Sequence, residues 1–187
     1  MGILRLLGSR GMAGYRTAGP VVRPVAATDE AAFIAAAGAS RQLHHPWVQP
    51  PCDAESFASY LARFDGTVHH GFVIVDEGEL AGAINLTNVI KGAFCSGYLG
   101  YYAFAGFNGR GLMTRGLNAV VQHAFKDLGL HRLEANIQPR NAASIALAMR
   151  CGFHLEGYSP KYLKVAGRWR DHERWARVKG QTKKAAS

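Results

Sequence analysis

Phe107-Asn108-Gly109-Arg110-Gly111-Leu112-Met113-Thr114 is the stretch on which the reading of this chain turns. It follows a segment of strand character, Phe94 to Phe104, and leads into one whose Met113, Leu117, Val120, Val121, Ala124 and Leu128 line one face of a helix. Successive backbone N–H groups at a helix N-terminus make an anion site, and glycine lets phosphate oxygens approach the backbone. Arg110 adds a positive charge to that site. Two other phosphate loops do not fit. A dinucleotide fingerprint counted from Gly109 needs glycine where Thr114 stands, and a P-loop counted from Gly111 reaches Gly116 but continues Leu117-Asn118 in place of Lys and Ser/Thr. What remains is a strand–GxG–helix loop shaped for a pyrophosphate. The simpler alternative is that the glycines only close a tight turn.

Outward from this loop the chain alternates between the two periods. Upstream, Val21 to Val25 reads as a strand, and Thr28 and Asp29 offer a cap to an Ala-rich helix towards Ala37. The stretch from His45 to Pro51 carries three prolines and reads as loop, and Asp53 can cap a helix bearing Phe57, Tyr60, Leu61 and Phe64. Gly71 to Val75 and Leu80 to Val89 read as strands joined by the turn Asp76-Glu77-Gly78-Glu79. Downstream, Arg132 to Ile137 is a strand and Asn141 to Arg150 a short helix stopped by Gly152. Strands near Leu155 to Leu163 and Arg170 to Val178 flank a turn at Gly167. The order β-α-α-β-β-β-α-β-α-β-β is neither a repeating βαβ array nor an all-β sandwich, so the fold class is α+β with a mixed sheet.

The whole chain of 187 residues, 48% hydrophobic and 19% charged, reads as one globular domain over residues 21–178. Residues 1–20 are expected to be a flexible extension, and their apolar part, Ile3 to Leu7, is too short for a secretory segment. No apolar run approaches the roughly 20 residues of a membrane span. Cys52, Cys95 and Cys151 lack metal or redox spacing and suggest reduced thiols, hence a cytoplasmic setting. The net charge of +9 gathers towards the C-terminus, where residues 161–187 hold nine Lys/Arg against Asp171 and Glu173. Such a basic end, with residues 179–187 as a flexible tail, suits a polyanion such as a phosphate-rich cofactor or ribosomal RNA, or is simply a solvated face.

A second signal lies about 30 residues past the glycine loop: Asn136 in a strand, then Asn141 and, one helical turn on, Ser144. An amide opening a helix and a hydroxyl three residues later share a face and can bond an amide-rich ligand. Asn141 as a plain N-cap is the simpler alternative.

The segment HRLEANIQPRNAASIALAMRCGFHLEGY (residues 131–158) resembles the cofactor-binding half of GNAT acetyltransferases, and Gly109-Arg110-Gly111 matches their pyrophosphate loop. Residues 84–92 (INLTNVIKG), Tyr98-Leu99-Gly100-Tyr101, Gly111-Leu112-Met113 and residues 167–172 (GRWRDH) resemble the RimJ/RimL group, most closely its alanine-directed RimJ branch. The resemblance implies the GNAT fold: a mixed, mostly antiparallel sheet of six to seven strands with four helices. It implies acetyl-coenzyme A as co-substrate and the N-terminal amine of a ribosomal protein as acceptor. Backbone groups of Tyr101, Tyr102, Ala103 and Phe104, on a strand splayed from its neighbour, would bind the pantetheine arm and polarise the thioester. Asn108 to Thr114 would hold the pyrophosphate, and Asn141 and Ser144 would reach the cofactor's amides and sulfur; Asn136 is read with them as cofactor-binding. Two departures stand out. Ala148 occupies the place where many GNAT enzymes carry an acidic tyrosine, which moves that role to Ser144 or water; Gly106 stands where Gln or Arg is common.

An α-amine has a pKa of about 7.7–8 against about 10.4 for lysine, so at pH 7 roughly a tenth of α-amines are neutral but well under a thousandth of lysines. An α-amine acetylase can therefore work with a weak or water-relayed base. Glu134, two residues before Asn136 and so on the same strand face, is the first candidate, with pairing to a neighbouring cation as the alternative. Glu156 is the second, and Asp171-His172 reads as a structural hydrogen bond. His45, Trp47, Tyr158, Tyr162 and Trp169 are candidates to line the acceptor groove or to serve as core. The histidine pairs 44–45 and 69–70 point to opposite faces and no HExxH occurs, so no metal is expected. The expectation is an acetyl-CoA-dependent N-acetyltransferase acting on a protein N-terminus, as monomer or homodimer, without a membrane partner. Its rivals are acetylation of a small amine and a non-catalytic acetyl-CoA/RNA-binding module.

Overall fold

The computed structural model describes residues 20–180. All but Pro20 of the expected extension, and all but Lys179 and Gly180 of the expected basic tail, lie outside these residues. Seven strands form one sheet: β1 (Val21–Pro24), β2 (His70–Asp76), β3 (Glu79–Ile90), β4 (Ser96–Ala103), β5 (Arg132–Ile137), β6 (His154–Val165) and β7 (Arg168–Val178). Their spatial order is β1-β2-β3-β4-β5-β7-β6, antiparallel throughout except for the β4–β5 pair. The helices are α1 (Glu30–Ala39), α2 (Arg41–His44), α3 (Ala54–Leu61), α4 (Leu112–Lys126) and α5 (Ala142–Arg150). Four of the five are longer than a single turn, as expected; α2 is the short addition.

Alternation along the strands sends side chains to two faces. On one, Leu133, Ala135 and Ile137 of β5 meet Leu117, Val120, Val121 and Ala124 of α4, all buried. On the other, Tyr102 and Phe104 meet Phe33 of α1 and Phe57 and Tyr60 of α3. Asp53 caps α3 as expected, its Oδ1 accepting the Ser56 N–H at 2.8 Å. Asp29 does not cap in that manner. Its carboxylate turns back to the Ala26 N–H (2.9 Å) and to both terminal nitrogens of Arg23. Phe94, expected in a strand, sits exposed in the β3–β4 connection, where positive φ at Gly92 and Cys95 breaks extended backbone. Leu128 lies beyond α4 yet still packs on the core. Among the described residues no helix is long and apolar enough to cross a membrane.

Gly116 is what lets α4 lie directly on the sheet. A Cβ there would come within 2.3 Å of Ile74 Cδ1 and 2.7 Å of its Cγ1, and Ile74 is fully buried. Gly116→Val is expected to lower stability by about 1–3 kcal/mol through overpacking. Thermal unfolding measures this, and an unchanged midpoint would contradict so close a seat.

The sheet parts in its middle. β4 and β5 pair only at Ser96–Arg132, Gly97–Leu133 and Tyr98–Glu134. Beyond Tyr98, β4 stays with β3 as far as Gly82–Ala103, while β5 stays with β7 as far as Ile137–Glu173. A wedge therefore opens between Leu99–Ala103 and the end of β5.

Candidate active site

Backbone polarity along β4 follows from its hydrogen bonds. The Phe104 N–H reaches the Ala81 carbonyl of β3 at 2.9 Å, and the Cys95 carbonyl accepts N–H groups at the start of β5. By alternation the backbone groups of Tyr101 and Ala103 face the wedge and those of Tyr102 face β3. The strand thus splays from β5, with the backbone groups of Tyr101 and Ala103 facing the open wedge. Phe104 and Tyr102 contribute buried side chains to the α1–α3 face. The Tyr101 side chain takes the other face. Its hydroxyl donates to the Ser144 carbonyl at 3.2 Å, and burial pushes its pKa up to about 12, so it stays protonated at neutral pH.

Across the wedge stands Asn136. Its Oδ1 is buried and has no hydrogen-bond partner among the described residues. A buried orphan acceptor is costly and points to a partner that arrives with a ligand. An amide N–H of a pantetheine arm lying between the two strands is such a partner, so the residues present fit acetyl-CoA at this point.

At the mouth of the wedge the chain turns through Gly106, Gly109 and Gly111, with φ of 90°, 75° and 71°. Three left-handed residues within six positions are open to glycine at little strain. They set the exposed loop of Asn108, Gly109 and Arg110 before the N-terminus of α4. The first helical bond runs from the Arg115 N–H to the Gly111 carbonyl at 3.1 Å. The N–H groups of Leu112, Met113 and Thr114 therefore precede the helix's own ladder, and no acid stands in the first turn. Leu112 is buried, and the Met113 sulfur lies against Gly82, so these side chains anchor the turn while their N–H groups face out.

Arg110 departs from expectation. Its Nη2 bonds Asp76 Oδ2 at 2.6 Å and its guanidinium lies over the Phe107 ring, so Asp76 balances the positive charge read for the phosphate loop. A second cation, Arg115, also reaches this turn: its Nη1 lies 3.8 Å from where a Gly111 Cβ would stand. It sits four residues after Gly111, one helical turn, a spacing from which it was legible.

On α5, Asn141 Oδ1 accepts the Ser144 N–H at 3.1 Å, so Asn141 is an N-cap, the simpler alternative. Its amide nitrogen and the partly exposed Ser144 hydroxyl stand at the same helix end. Ala148 is fully buried in the core.

The opposite sheet face carries Arg132, Glu134 and Asn136 in alternation. Arg132 Nε donates to Glu134 Oε1 at 2.8 Å, and its terminal nitrogens hold both oxygens of Glu156. The hydrogen bond from Arg132 keeps the Glu156 carboxyl below its usual range. Both nominated bases thus share one guanidinium, and for Glu134 the pairing alternative describes what the structure contains. For Glu156, that lowered pKa makes it a weaker base in the role it was read for. Tyr98 stands opposite Glu134 in the register, and the Gln138 amide donates to the Trp47 carbonyl at 3.3 Å, bringing the proline-rich loop to this face. Tyr158 and Trp169 are more than half exposed, and Tyr162 rests against His172. Asp171 accepts from the Tyr158 hydroxyl and from the Lys161 N–H at 2.8 Å, the structural use expected of it. Among the described residues no cluster of three His, Cys, Asp or Glu could hold a metal ion.

Residues 21–154 match the acetyltransferase (GNAT) domain family. A ribosomal protein uS5-alanine N-acetyltransferase of Escherichia coli is 39% identical over 104 residues, which are 56% of this chain and 54% of the relative. An L-methionine sulfoximine/L-methionine sulfone acetyltransferase of Pseudomonas aeruginosa is 30% identical over 142 residues, covering 67% of this chain and 74% of the relative. Among solved structures, Mycobacterium smegmatis RimJ in complex with CoA-disulfide aligns with a TM-score of 0.78 at 31% identity, covering 84% of this chain and 81% of that one. The chain spans little more than half the length of the first curated relatives it matches, 60% and 54%.

Proposed function

The chain belongs to the GNAT acetyltransferase family, and from that premise we propose that it transfers an acetyl group from acetyl-CoA to a primary amine, the N-terminal α-amine of a protein. The observation that carries the reading is the wedge between β4 and β5, with the orphan Asn136 Oδ1 on one side and outward backbone groups of Tyr101 and Ala103 on the other. The E. coli relative acts on the alanine end of a ribosomal protein, which supports a ribosomal protein as acceptor.

Bound acetyl-CoA supplies the activated acetyl group, and the remaining tasks fall to this chain. The N–H groups of Leu112 to Thr114, with Arg115, hold the pyrophosphate. The Ala103 N–H faces the place where negative charge develops on the carbonyl oxygen. The amine nitrogen bonds to the carbonyl carbon as the carbon–sulfur bond breaks. The Ser144 hydroxyl, or a water it orients, donates a proton to the departing thiolate. Glu134, tied to Arg132, receives the amine's proton through water. A paired carboxylate suits an α-amine, of which roughly a tenth is already neutral at pH 7, far better than a lysine.

A second reading has its own support. The P. aeruginosa relative is named for small amino-acid acceptors, so an α-amine on a free amino acid is the alternative. Titrating acetyl-CoA into the protein by calorimetry, then adding peptides that begin with Ala, Ser or Lys and, separately, methionine sulfone, distinguishes the two. Thiol release with Ala- or Ser-started peptides supports the protein acceptor; release with methionine sulfone alone moves the acceptor to small molecules. Absence of acetyl-CoA binding removes both. Ser144→Ala is expected to slow kcat about tenfold with little change in acetyl-CoA affinity, as loss of one proton donor in part replaced by water. Wild-type kcat in that variant would exclude the serine as donor.

A further inference from the structure

The junction between α1 and α2 reaches across to the end of β4 at two points. His44 Nε2 lies 2.8 Å from the Ala103 carbonyl oxygen, and Ser40 Oγ accepts the Ala105 N–H at 2.8 Å while donating to the Ala36 carbonyl at 2.6 Å. Both side chains belong to buried residues, His44 4% and Ser40 1% exposed. The two bonds bracket Phe104, whose own N–H is held by Ala81. Three consecutive residues at the rim of the wedge are therefore fixed from two sides.

The chemistry of the His44 bond is directional. A carbonyl oxygen can only accept, so Nε2 carries the hydrogen and Nδ1 is the bare nitrogen. Nδ1 is buried without a partner among the described residues. Burial pushes the His44 pKa down, in keeping with a neutral ring. The ring stands edge-on to Tyr102 at 5.3 Å and Phe104 at 6.1 Å, so it cannot swing without disturbing β4. Its backbone ties down a second element: the His44 carbonyl accepts the N–H groups of Trp47 (2.7 Å) and Val48 (3.0 Å), which start the proline-rich loop beside the acceptor face.

We infer that His44, seconded by Ser40, is a positioning residue for the acyl-donor site: it takes up the Ala103 carbonyl so that the Ala103 N–H is held towards the ligand, and it couples that N–H to the acceptor loop. The Ala103 carbonyl is one of the wedge-facing backbone groups; with His44 on it, the Ala103 N–H and the Tyr101 pair remain for the pantetheine arm and thioester. This inference rests on the reading of the wedge as the CoA site.

Leucine at 44 keeps much of the volume and loses the donor; glutamine at 44 restores a donor. His44→Leu is expected to weaken CoA binding about fivefold, the loss of one neutral hydrogen bond's worth of order at the site, and to lower kcat as well, since the Ala103 N–H it holds faces the developing oxyanion. His44→Gln is expected to stay within about twofold of wild type in CoA affinity, whatever its melting temperature. Calorimetry with CoA well below each variant's midpoint, paired with thermal melts, reads both. Should His44→Leu fail to fold, Ser40→Ala provides the same comparison, with a smaller loss expected. Equal melting losses in the Leu and Gln variants with CoA affinity unchanged would reduce His44 to a packing residue. Failure of wild-type protein to bind CoA would instead remove the site reading itself.

Discussion

Gly111→Asp is expected to weaken acetyl-CoA binding by about a hundredfold. Gly111 is the left-handed residue (φ 71°) from which α4 starts, and its carbonyl takes the first helical bond. A carboxylate there stands beside the N–H groups of Leu112 to Thr114, where the pyrophosphate is to sit, and engages Arg115, whose Nη1 is 3.8 Å from the added Cβ. Two charges about 5 Å apart at an effective dielectric near 20 repel by about 3 kcal/mol, which is about a hundredfold in affinity. Asparagine separates charge from backbone strain, because it tolerates the left-handed region and is neutral. Gly111→Asn is expected to remain within about fivefold of wild type. Calorimetry with CoA decides; wild-type affinity in the aspartate variant would mean the phosphate lies elsewhere.

Asn136→Leu is expected to move binding and stability in opposite directions. In the free protein, Asn136 Oδ1 is a buried acceptor with no partner among the described residues. Replacing the amide by an apolar group of similar shape removes that deficit, so the melting temperature should hold or rise. The ligand amide then enters the wedge with nothing to accept its N–H. A buried group left without a partner costs about 2 kcal/mol, so CoA affinity should fall about thirtyfold. A purely structural asparagine would show the reverse: a lower midpoint and unchanged affinity. The two readouts together leave no ambiguity about which role the side chain has.

The legible part of this chain was local. The glycine loop, the helix after it and the 132–137 strand depend on neighbours a few residues away, and periodicity or turn chemistry reports such neighbours directly. The alternation that set Glu134 and Asn136 on one face also held. What escaped depends on residues far apart in the chain. Arg110 read as a positive charge for the loop, and nothing near it in sequence shows that Asp76, 34 residues earlier, folds against it. Glu134 and Glu156 looked independent because Arg132 joins them only once β5, β7 and β6 lie side by side. His44 read only as one of a histidine pair, and its bond to Ala103 spans 59 residues. Phe94 shows a different failure. An aromatic before a strand pattern reads as part of it, and only the backbone turn at Gly92 and Cys95 removes it.

The brief pairing of β4 with β5 has a consequence for how the molecule breathes. Continuous sheets tend to exchange and unfold as cooperative units, whereas here the ladder across the middle is three pairs long. The β1–β4 and β5–β7 halves, joined at one end and by the helices laid over them, are expected to behave as two foldons. Amides flanking the wedge should therefore exchange through a partial separation that costs less than global unfolding. A ligand lying between the halves binds only their joined form and suppresses that separation, adding about 2.7 kcal/mol at a hundred times its dissociation constant. On the proposed reading of the wedge, the acyl donor would also be the missing length of the ladder.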